Sequence, residues 1–404
     1  MSAPIAAEPA TDDGDEQEYV CDEDECEAEP LSQEDDAEAS PYKRFLDSRP
    51  DFIAKPFSVL EHLLVDQYRT EVFGRTLTAG ISGRITRAFL YGNNQQDEQL
   101  FFVDNNNSAT QIVGTAAIDL SDNWRTGGRF KLPIIVRSSI EVDFGEDNLD
   151  FSFGDFGEEE LSGYLSHKKY GKFSFGYGAT ASDGTSESDL SGMTVISRSR
   201  VRDLAGGLSF AGGGPQVKQV FDNFDGLGDA TRFRYDSPRF SNVSLSTSLT
   251  ADGDIDIAAR WEKRFDTQRL AMAASFVEQD DGVEQVSISA SALWESGFNI
   301  TGVISGQNLD NRDPLLLYGK VGWLVAPFDI GPTAFGIDAA YNKNVLQNGD
   351  EATTIGAFFV QTINRDGIFH AIDLYVGVRL HHLETKSKNY DDLYATMVGA
   401  RFRF

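Results

Sequence analysis

The stretch LTAGISGRITRAFLY, residues 77–91, alternates with a period of two. Its odd positions Leu77, Ala79, Ile81, Ile85, Phe89 and Tyr91 are apolar, whereas Thr78, Ser82, Arg84 and Thr86 among the even ones are polar. Successive side chains of a strand point to opposite faces, so this is a strand with one apolar and one polar face. The pattern recurs to the end of the chain. Val243, Leu245 and Leu249 alternate with Ser244, Ser246 and Ser248, and Ile255, Ile257, Ala259 and Trp261 with Asp254, Asp256 and Arg260. Val286/Ile288/Ala290/Ala292, Phe298/Ile300/Gly302/Ile304, Phe335/Ile337/Ala339/Tyr341 and Leu374/Val376/Val378/Leu380 continue it. The last segment sets Tyr394, Val398, Ala400, Phe402 and Phe404 on one face, and Met397, Arg401 and Arg403 on the other.

Turn pairs separate these runs: Asp252-Gly253, Asp281-Gly282, Ser296-Gly297, Asn348-Gly349 and Asp366-Gly367. Such pairs supply the positive φ that hairpins need. The connections read as alternately short and long. Divided among 16 strands, residues 74–404 leave about 21 residues for each strand with its connection, which suits a membrane-spanning strand. A count gives about 17 strand-like segments, so the expectation is an even number near 16, with 18 as the alternative.

A soluble sandwich also alternates, but two features favour a transmembrane antiparallel β-barrel. Aromatic residues gather near strand ends (Phe89 and Tyr91, Phe233 and Tyr235, Trp261, Trp323, Tyr341, Phe402 and Phe404), as interfacial girdles require. The polar face carries Arg, Asp, Ser and Thr in strand after strand, which fits a water-filled lumen and not a dry core. No run of eighteen apolar residues is present, so the sequence offers no transmembrane helix.

The charge is unevenly distributed. Of a net −29 over 404 residues, the first 40 positions contribute 16 acids and no Lys or Arg, leaving −13 for the remainder. This acidic tail is expected to be disordered when alone, and the overall acidity argues against a nucleic-acid partner. The beginning MSAPIAAEPA lacks the basic and apolar regions of a signal peptide. Cys21 and Cys26, the only cysteines, lie within the tail; a small disulfide loop is the expectation, since two thiolates without a nearby His fall short of a zinc quartet. Residues 41–73 read as a helical linker or periplasmic segment, with Ser58 as cap and Leu60, Leu63, Leu64 and Tyr68 at helical spacing.

YGKFSFGYGATASDGTSESDLSG (170–192), VRDLAGGLSF (201–210) and FDNFDGLGDATRFRYDSPRFSNVSLSTSL (221–249) together resemble the Gram-negative general porins, at the strand entering their inward-folded third loop, the loop itself and the strands leaving it. The ending GARFRF resembles the last porin strand, whose terminal aromatic is the assembly signal; here that residue is Phe404. The resemblance covers residues 74–404 and implies a trimeric 16-stranded barrel in the bacterial outer membrane. It further implies ion transport and passive diffusion of small hydrophilic solutes through a channel narrowed at 179–230, with the N-terminal extension periplasmic.

The residues fit an eyelet of this kind. Asp183, Glu187 and Asp189 fall on the candidate loop, and strand parity directs Arg84, Arg129, Lys131, Arg401 and Arg403 into the lumen. Acids facing bases across a pore set up a transverse field. A substrate-selective channel for cationic solutes is the first rival, and a non-channel barrel for adhesion or envelope tethering through residues 1–73 the second. The segment 141–160 is also acidic. It admits Ca²⁺ as a partner, although a solvated surface is the favoured reading.

Catalytic signals are absent from the sequence. It contains no H-E-x-x-H, P-loop or nucleophile elbow, and His381 and His382 point to opposite faces of one strand. The expectation is a passive protein with no catalytic residue, no metal site and no cofactor.

Overall fold

In a computed structural model of the chain, the described residues are 68–72, 74–145, 151–153, 160–365 and 369–404. The first strands are β1 (Tyr68–Val72), β2 (Arg75–Asn93), β3 (Glu98–Val103), β4 (Gln111–Asp119) and β5 (Trp124–Val136). Next come β6 (Phe151–Phe153), β7 (Glu160–His167), β8 (Gly171–Ala179), β9 (Asp229–Asp236) and β10 (Val243–Thr250). The run continues with β11 (Ile255–Phe265), β12 (Gln268–Glu278), β13 (Glu284–Trp294), β14 (Phe298–Asn308) and β15 (Leu315–Phe328). It ends with β16 (Gly331–Lys343), β17 (Glu351–Asn364), β18 (Ala371–Glu384) and β19 (Leu393–Arg403).

Neighbours in sequence pair antiparallel, and the sheet closes where β19 meets β2, from Arg403 opposite Arg84 to Tyr394 opposite Asn93. β3 and β4 both pair with β2 and form one strand interrupted at 104–110; β6 and β7 share β5 in the same way. Counted thus, the molecule is a closed antiparallel 16-stranded β-barrel, the lower of the two even numbers expected.

The acidic tail, the Cys21/Cys26 pair and residues 41–67 of the linker lie outside the described residues. The end of the linker differs from the helical expectation. Leu77, Thr78 and Ala79 pair with β4 on one side and with Thr70, Arg69 and Tyr68 on the other. β1 therefore prolongs the line of β19 beyond the C-terminus.

Closure depends on a close approach. Gly83 and Phe404 exchange two backbone hydrogen bonds, with Gly83 N–H donating at 2.7 Å and Phe404 N–H at 2.9 Å. The ring of Phe404 lies over Gly83, where a Cβ would sit 2.7 Å from its Cζ and 2.6 Å from the Gln111 carbonyl oxygen.

Alternation sorts side chains as the period demands. Phe89, Phe102, Phe173, Phe233, Leu245, Ile257, Ile288, Ile304, Phe335, Ile355 and Val398 are exposed on the outer face, whose neighbours across the strands are equally apolar. A surface of this kind needs hydrocarbon and not water around it. The expected alternation of short and long connections is slight. The turns 266–267 and 329–330 at one end face connections as short as 251–254 and 279–283 at the other. The exceptional connection is 180–228, between β8 and β9.

That segment does not extend away from the barrel. Met193, Ile196, Leu204, Leu208, Phe210 and Phe221 are fully buried and belong to one apolar cluster with Leu90, Phe101, Leu316, Phe358, Leu383 and Met397 of the barrel strands. A sixteen-stranded barrel is too wide for its own side chains to fill; here a chain segment fills much of it. Met193 seats against Gly322 and Gly336, where a Cβ at either position would lie 2.8 Å from its methyl carbon.

Replacing Gly83 with Val should push the Phe404 ring off the sheet and destabilise the folded barrel by roughly 1–3 kcal/mol, the usual cost of overpacking. The heat-modifiable mobility of the barrel on semi-native gels measures this. An unchanged unfolding temperature would contradict the closure described here.

Candidate functional site

The 180–228 segment is held inside the barrel by inward-facing polar residues of successive strands. Its backbone N–H groups donate to wall side chains: Ala181 to Ser248 Oγ (2.9 Å), Ser182 to Asp256 Oδ2 (2.8 Å), Ser188 to Ser289 Oγ (3.2 Å) and Leu190 to Ser291 Oγ (2.9 Å). Its carbonyls accept from the wall: Thr185 from Ser289 Oγ (2.7 Å), Asn223 from Ser305 Oγ (2.6 Å), Phe224 from Gln285 Nε2 (2.7 Å) and Asp222 from Asn342 Nδ2 (2.7 Å). The Thr185 hydroxyl lies 2.7 Å from those of both Ser275 and Ser287.

These serines alternate with apolar residues, as read in the sequence, but they do not face water. Ser289 is 1% exposed and Ser305 is 2% exposed. At Ser248, Asp256 and Ser275 and along β13 and β14 the polar face is therefore the partner of a folded segment, which corrects the reading of it there as a water-filled lumen. The physical reason is that buried backbone groups require partners, and short hydroxyls supply them at close approach.

Two charge pairs reinforce the seat. Lys320, fully buried on β15, bonds the carboxylate of Asp189 and the carbonyl of Ser197. Arg379 on β18 meets Asp338 on β16 at 2.8 Å, and Asp338 also accepts from the Ser197 hydroxyl at 2.7 Å. At the root, two wall arginines donate to segment carbonyls, Arg234 to Thr180 and Arg260 to Asp183, while Arg232 donates to Gly176 and Ala179 at the end of β8. The far part of the segment is gripped by the connections after β2 and β5, which lie at the same end of the barrel as its root. Asn94 Nδ2 donates to the Ser209 carbonyl at 3.0 Å, Ser209 bonds Asp143, and Lys218 pairs with Glu141 at 2.8 Å.

Glu141 and Asp143, two acids of the 141–160 run, are thus engaged in that grip, and Glu160 pairs with Arg129. Residues 146–150 and 154–159 of the run, with the Ca²⁺ expectation that falls on them, lie outside the described residues.

What remains of the lumen is off-centre. A cavity of about 850 Å³ runs between the segment and the wall formed by β2, β4, β5 and β7 to β12. The wall presents Arg84, Arg125, Arg129, Lys131, Lys172, Arg232, Arg234, Arg239 and Arg260 to this cavity. Its acids there are Glu160, Asp229, Asp236 and Glu262, so bases outnumber acids on this side. All four lie in wall pairs: Glu160 with Arg129 (3.0 Å), Asp229 with Lys131 (3.3 Å), Asp236 with Arg234 (2.7 Å) and Glu262 with Arg269.

The segment presents the opposite sign. Asp183, Glu187, Asp189, Asp203 and Asp225 line the cavity, with Arg198 and Arg200 among them. Glu187 accepts from Arg198 at 3.0 Å, and Arg200 lies 3.8 Å from Glu187 and 3.7 Å from Asp225. Burial works against the charge of Arg200, but Glu187, Asp203, Asp225 and Asp183 more than offset it and hold the guanidinium above its ordinary value. Burial first, and the neighbouring Glu187 second, push the Asp225 carboxyl above the carboxylate range, against Arg200 and the Ser186 hydrogen bonds. Asp203 is raised for the same leading reason, burial.

The eight residues singled out in the sequence therefore divide. Asp183, Glu187 and Asp189 lie on the segment, and Arg84, Arg129 and Lys131 on the opposing wall, all at one cavity. Arg401 and Arg403 do not join them. Both converge on Asp373, at 2.8 Å and 3.1 Å, and Arg401 also donates to Ser108 at 2.9 Å. Parity does point them inward, but a folded segment occupies their side of the barrel. Arg125, Lys172, Arg232, Arg234, Arg239 and Arg260 were missed. Arg232 and Arg234 carried a signal, since they alternate with the outward aromatics Phe233 and Tyr235. His381 is buried against Phe221, whereas His382 lies 2.7 Å from Asp392, so the adjacent pair shares no site.

A closed barrel with an apolar outer face, an inward-folded segment and a charged lumen defines the porin fold, an outer-membrane channel architecture. The solved structures that this chain is similar to agree. The anion-selective porin from Comamonas acidovorans matches with a TM-score of 0.56 at 13% identity, over 81% of this chain and 100% of that one. The outer-membrane channel DcaP of Acinetobacter baumannii matches with a TM-score of 0.53 at 10% identity, over 81% and 97%. A loop-deletion form of OmpT, an outer membrane protein of Vibrio cholerae, gives 0.53 at 11% identity, over 81% and 99%. No family model matches the sequence, and no curated protein does. At these identities the likeness is one of fold.

Replacing Lys320 with Met should strand the buried Asp189 carboxylate, at a cost of roughly 3–5 kcal/mol, whereas the double change with Asp189→Leu should recover most of it. Limited proteolysis at 186–200 checks this. Equal susceptibility of the single and double variants would show that the pair does not seat the segment.

Proposed function

We propose that the chain forms a water-filled outer-membrane channel for passive diffusion of small hydrophilic solutes and ions, with 180–228 as its constriction and no turnover or cofactor. The observation that carries this reading is the off-centre cavity, bounded by a basic wall on one side and an acidic segment on the other. Opposed charges across such a space create a transverse field that aligns dipolar solutes as they pass. The resemblance and the shared fold support assembly as a homotrimer, with Phe404 as the assembly signal and the end at which β2 begins facing the periplasm.

The selectivity we propose reverses the cationic preference weighed from the sequence. The acids of the tail do not line the cavity, and those of the segment stand close to Arg198, Arg200 and Lys320. The wall carries the surplus, and it is positive. We therefore assign a weak preference for anions. The solved porin with the highest of the reported TM-scores is described as anion-selective, which accords with this reading.

Reconstitution into planar bilayers tests it. Stepwise conductance, in groups of three for a trimer, is expected, and silence after verified insertion would end the channel reading. Under a salt gradient the reversal potential should favour chloride. The pair Arg129→Gln and Lys131→Gln should lower the chloride-to-potassium permeability ratio by about tenfold per charge, since ~0.7 kcal/mol from a unit charge about 6 Å away in water acts with opposite sign on the two ions. An unchanged ratio would show that the wall does not select.

Acidification should act in a defined direction. Asp203 and Asp225 have raised folded-state values, so they take up protons at higher pH than an ordinary carboxyl near 3.8. The stabilisation linked to their neutral forms is fully present below the unfolded value and is lost as pH rises through the folded one. As pH falls from neutrality toward that range, the segment loses negative charge before exposed acids do, and anion preference should grow. Asp225→Asn should blunt this drift in reversal potential; an identical drift in the variant would remove Asp225 from the account.

A further inference from the structure

Charge is sorted along the barrel axis. At the end where the turns 251–254, 279–283 and 309–314 lie, Asp252, Asp280, Asp281, Asp310 and Asp313 are exposed. At the other end, three consecutive turns, 168–170, 237–242 and 266–267, form one arc of the rim. The exposed charges on this arc and its strand ends are Lys168, Lys169, Arg239, Lys263 and Arg264, with Asp266 as the acid among them. The arc continues inward, since Arg239 also lines the cavity with Lys172, Arg234 and Arg260, among which Asp236 and Glu262 are the acids. The chain is acidic overall, so a basic rim is not a reflection of composition.

β1 places the N-terminal extension at this same end. Residues 1–40 carry 16 acids and no base, and they are attached through residues 41–67 to Tyr68, beside the start of β2. Sixteen strands about 4.8 Å apart and tilted by about 40° give a mouth roughly 32 Å across. The 41–67 connection spans about 40 Å even if every residue were helical, and more in any extended form, so the tail reaches every point of that rim. The acidic far end lies a membrane thickness away and repels it.

We infer that the basic arc of 168–170, 237–242 and 263–264 is a docking surface for the chain's own acidic segment, residues 1–40. Bound there, the segment brings its negative charge beside the basic wall and offsets the charge that draws anions in. Its hold is electrostatic and weakens as salt screens it, with a Debye length of about 10 Å at 0.1 M and about 3 Å at 1 M. The surface does not depend on conduction. Only its effect on current rests on the channel reading, and the two are tested separately.

Cys21 and Cys26 are the chain's only cysteines and both lie in the tail, so the full chain carries its own probe sites. After reduction, they are coupled to a benzophenone maleimide in nanodisc-embedded protein and photolysed at 20 mM and at 1 M NaCl. Crosslinks are expected within 168–172, 237–242 and 263–264 at low salt, with at least a fivefold loss at high salt. The same loss is expected in a chain carrying K168Q, K169Q, R239Q, K263Q and R264Q. Crosslinks to 251–254 or 279–283, to lipid alone, or at equal yield in both salts would overturn the inference. A second readout is current: exchanging the 16 tail acids for Asn and Gln should raise low-salt chloride permeability about twofold and leave the 1 M value unchanged. Salt-dependent crosslinks without current would spare the docking surface and sink the channel reading. Current without such crosslinks would do the reverse.

Discussion

A segment folded inside a barrel must find a partner for each buried backbone N–H and carbonyl, because no ladder supplies them and little water reaches them. The rest of the structure depends on how this demand is met. Inward hydroxyls of Ser248, Ser289, Ser291 and Ser305 bond the backbone of 180–228 directly, and Asp256 holds Ser182 at its root. Because a serine side chain is short, the segment lies close to the wall there. The apolar residues of the segment can then pack against Leu316, Phe358 and Leu383 on the same side. The cavity is displaced to the opposite side, against β5, β8 and β9. The off-centre cavity follows from hydrogen-bond satisfaction as much as from charge.

Once the segment is committed to one side, the charges fall into two opposed groups. Lys320 and Arg379 lie beneath it and are consumed by Asp189 and Asp338. The bases of β5, β8, β9 and β11 remain at the cavity. Buried pairs of this kind contribute little net stability in themselves, but removal of either partner is costly. They are best understood as fixing where the segment lies. The guanidinium groups of Arg232, Arg234 and Arg260 have a double role, since they hold carbonyls at the end of β8 and the segment's root and also present positive charge to the lumen.

The barrel was legible because a two-residue period over many strands has one physical meaning, and because Phe404 continues the parity of β19. The place of the inward-folded segment followed from the resemblance of 170–192, 201–210 and 221–249 to the general porins. Arg84, Arg129 and Lys131 were found through parity alone. Parity also misled. It reports that a side chain faces inward but not what it faces, so Arg401 and Arg403 were put at a cavity that lies elsewhere, and the serine faces of β13 and β14 were read as wet. The helical spacing of Leu60, Leu63, Leu64 and Tyr68 did not foresee that Tyr68 opens a strand, because pairing with β2 is a tertiary contact that local periodicity does not encode.

The central claim is that 180–228 seals one side of the lumen and leaves the pathway on the other. Thiol accessibility tests it most directly, in a background where Cys21 and Cys26 are replaced by Ser. Single cysteines at Ser162 and Ser244, which line the cavity, should react within seconds with a charged methanethiosulfonate and reduce the current. Cysteines at Ser289 and Ser305, beneath the segment, should stay unreactive and leave the current unchanged. Equal reactivity and equal block at all four positions would mean that the segment does not occupy that side, and the account would fail at its base.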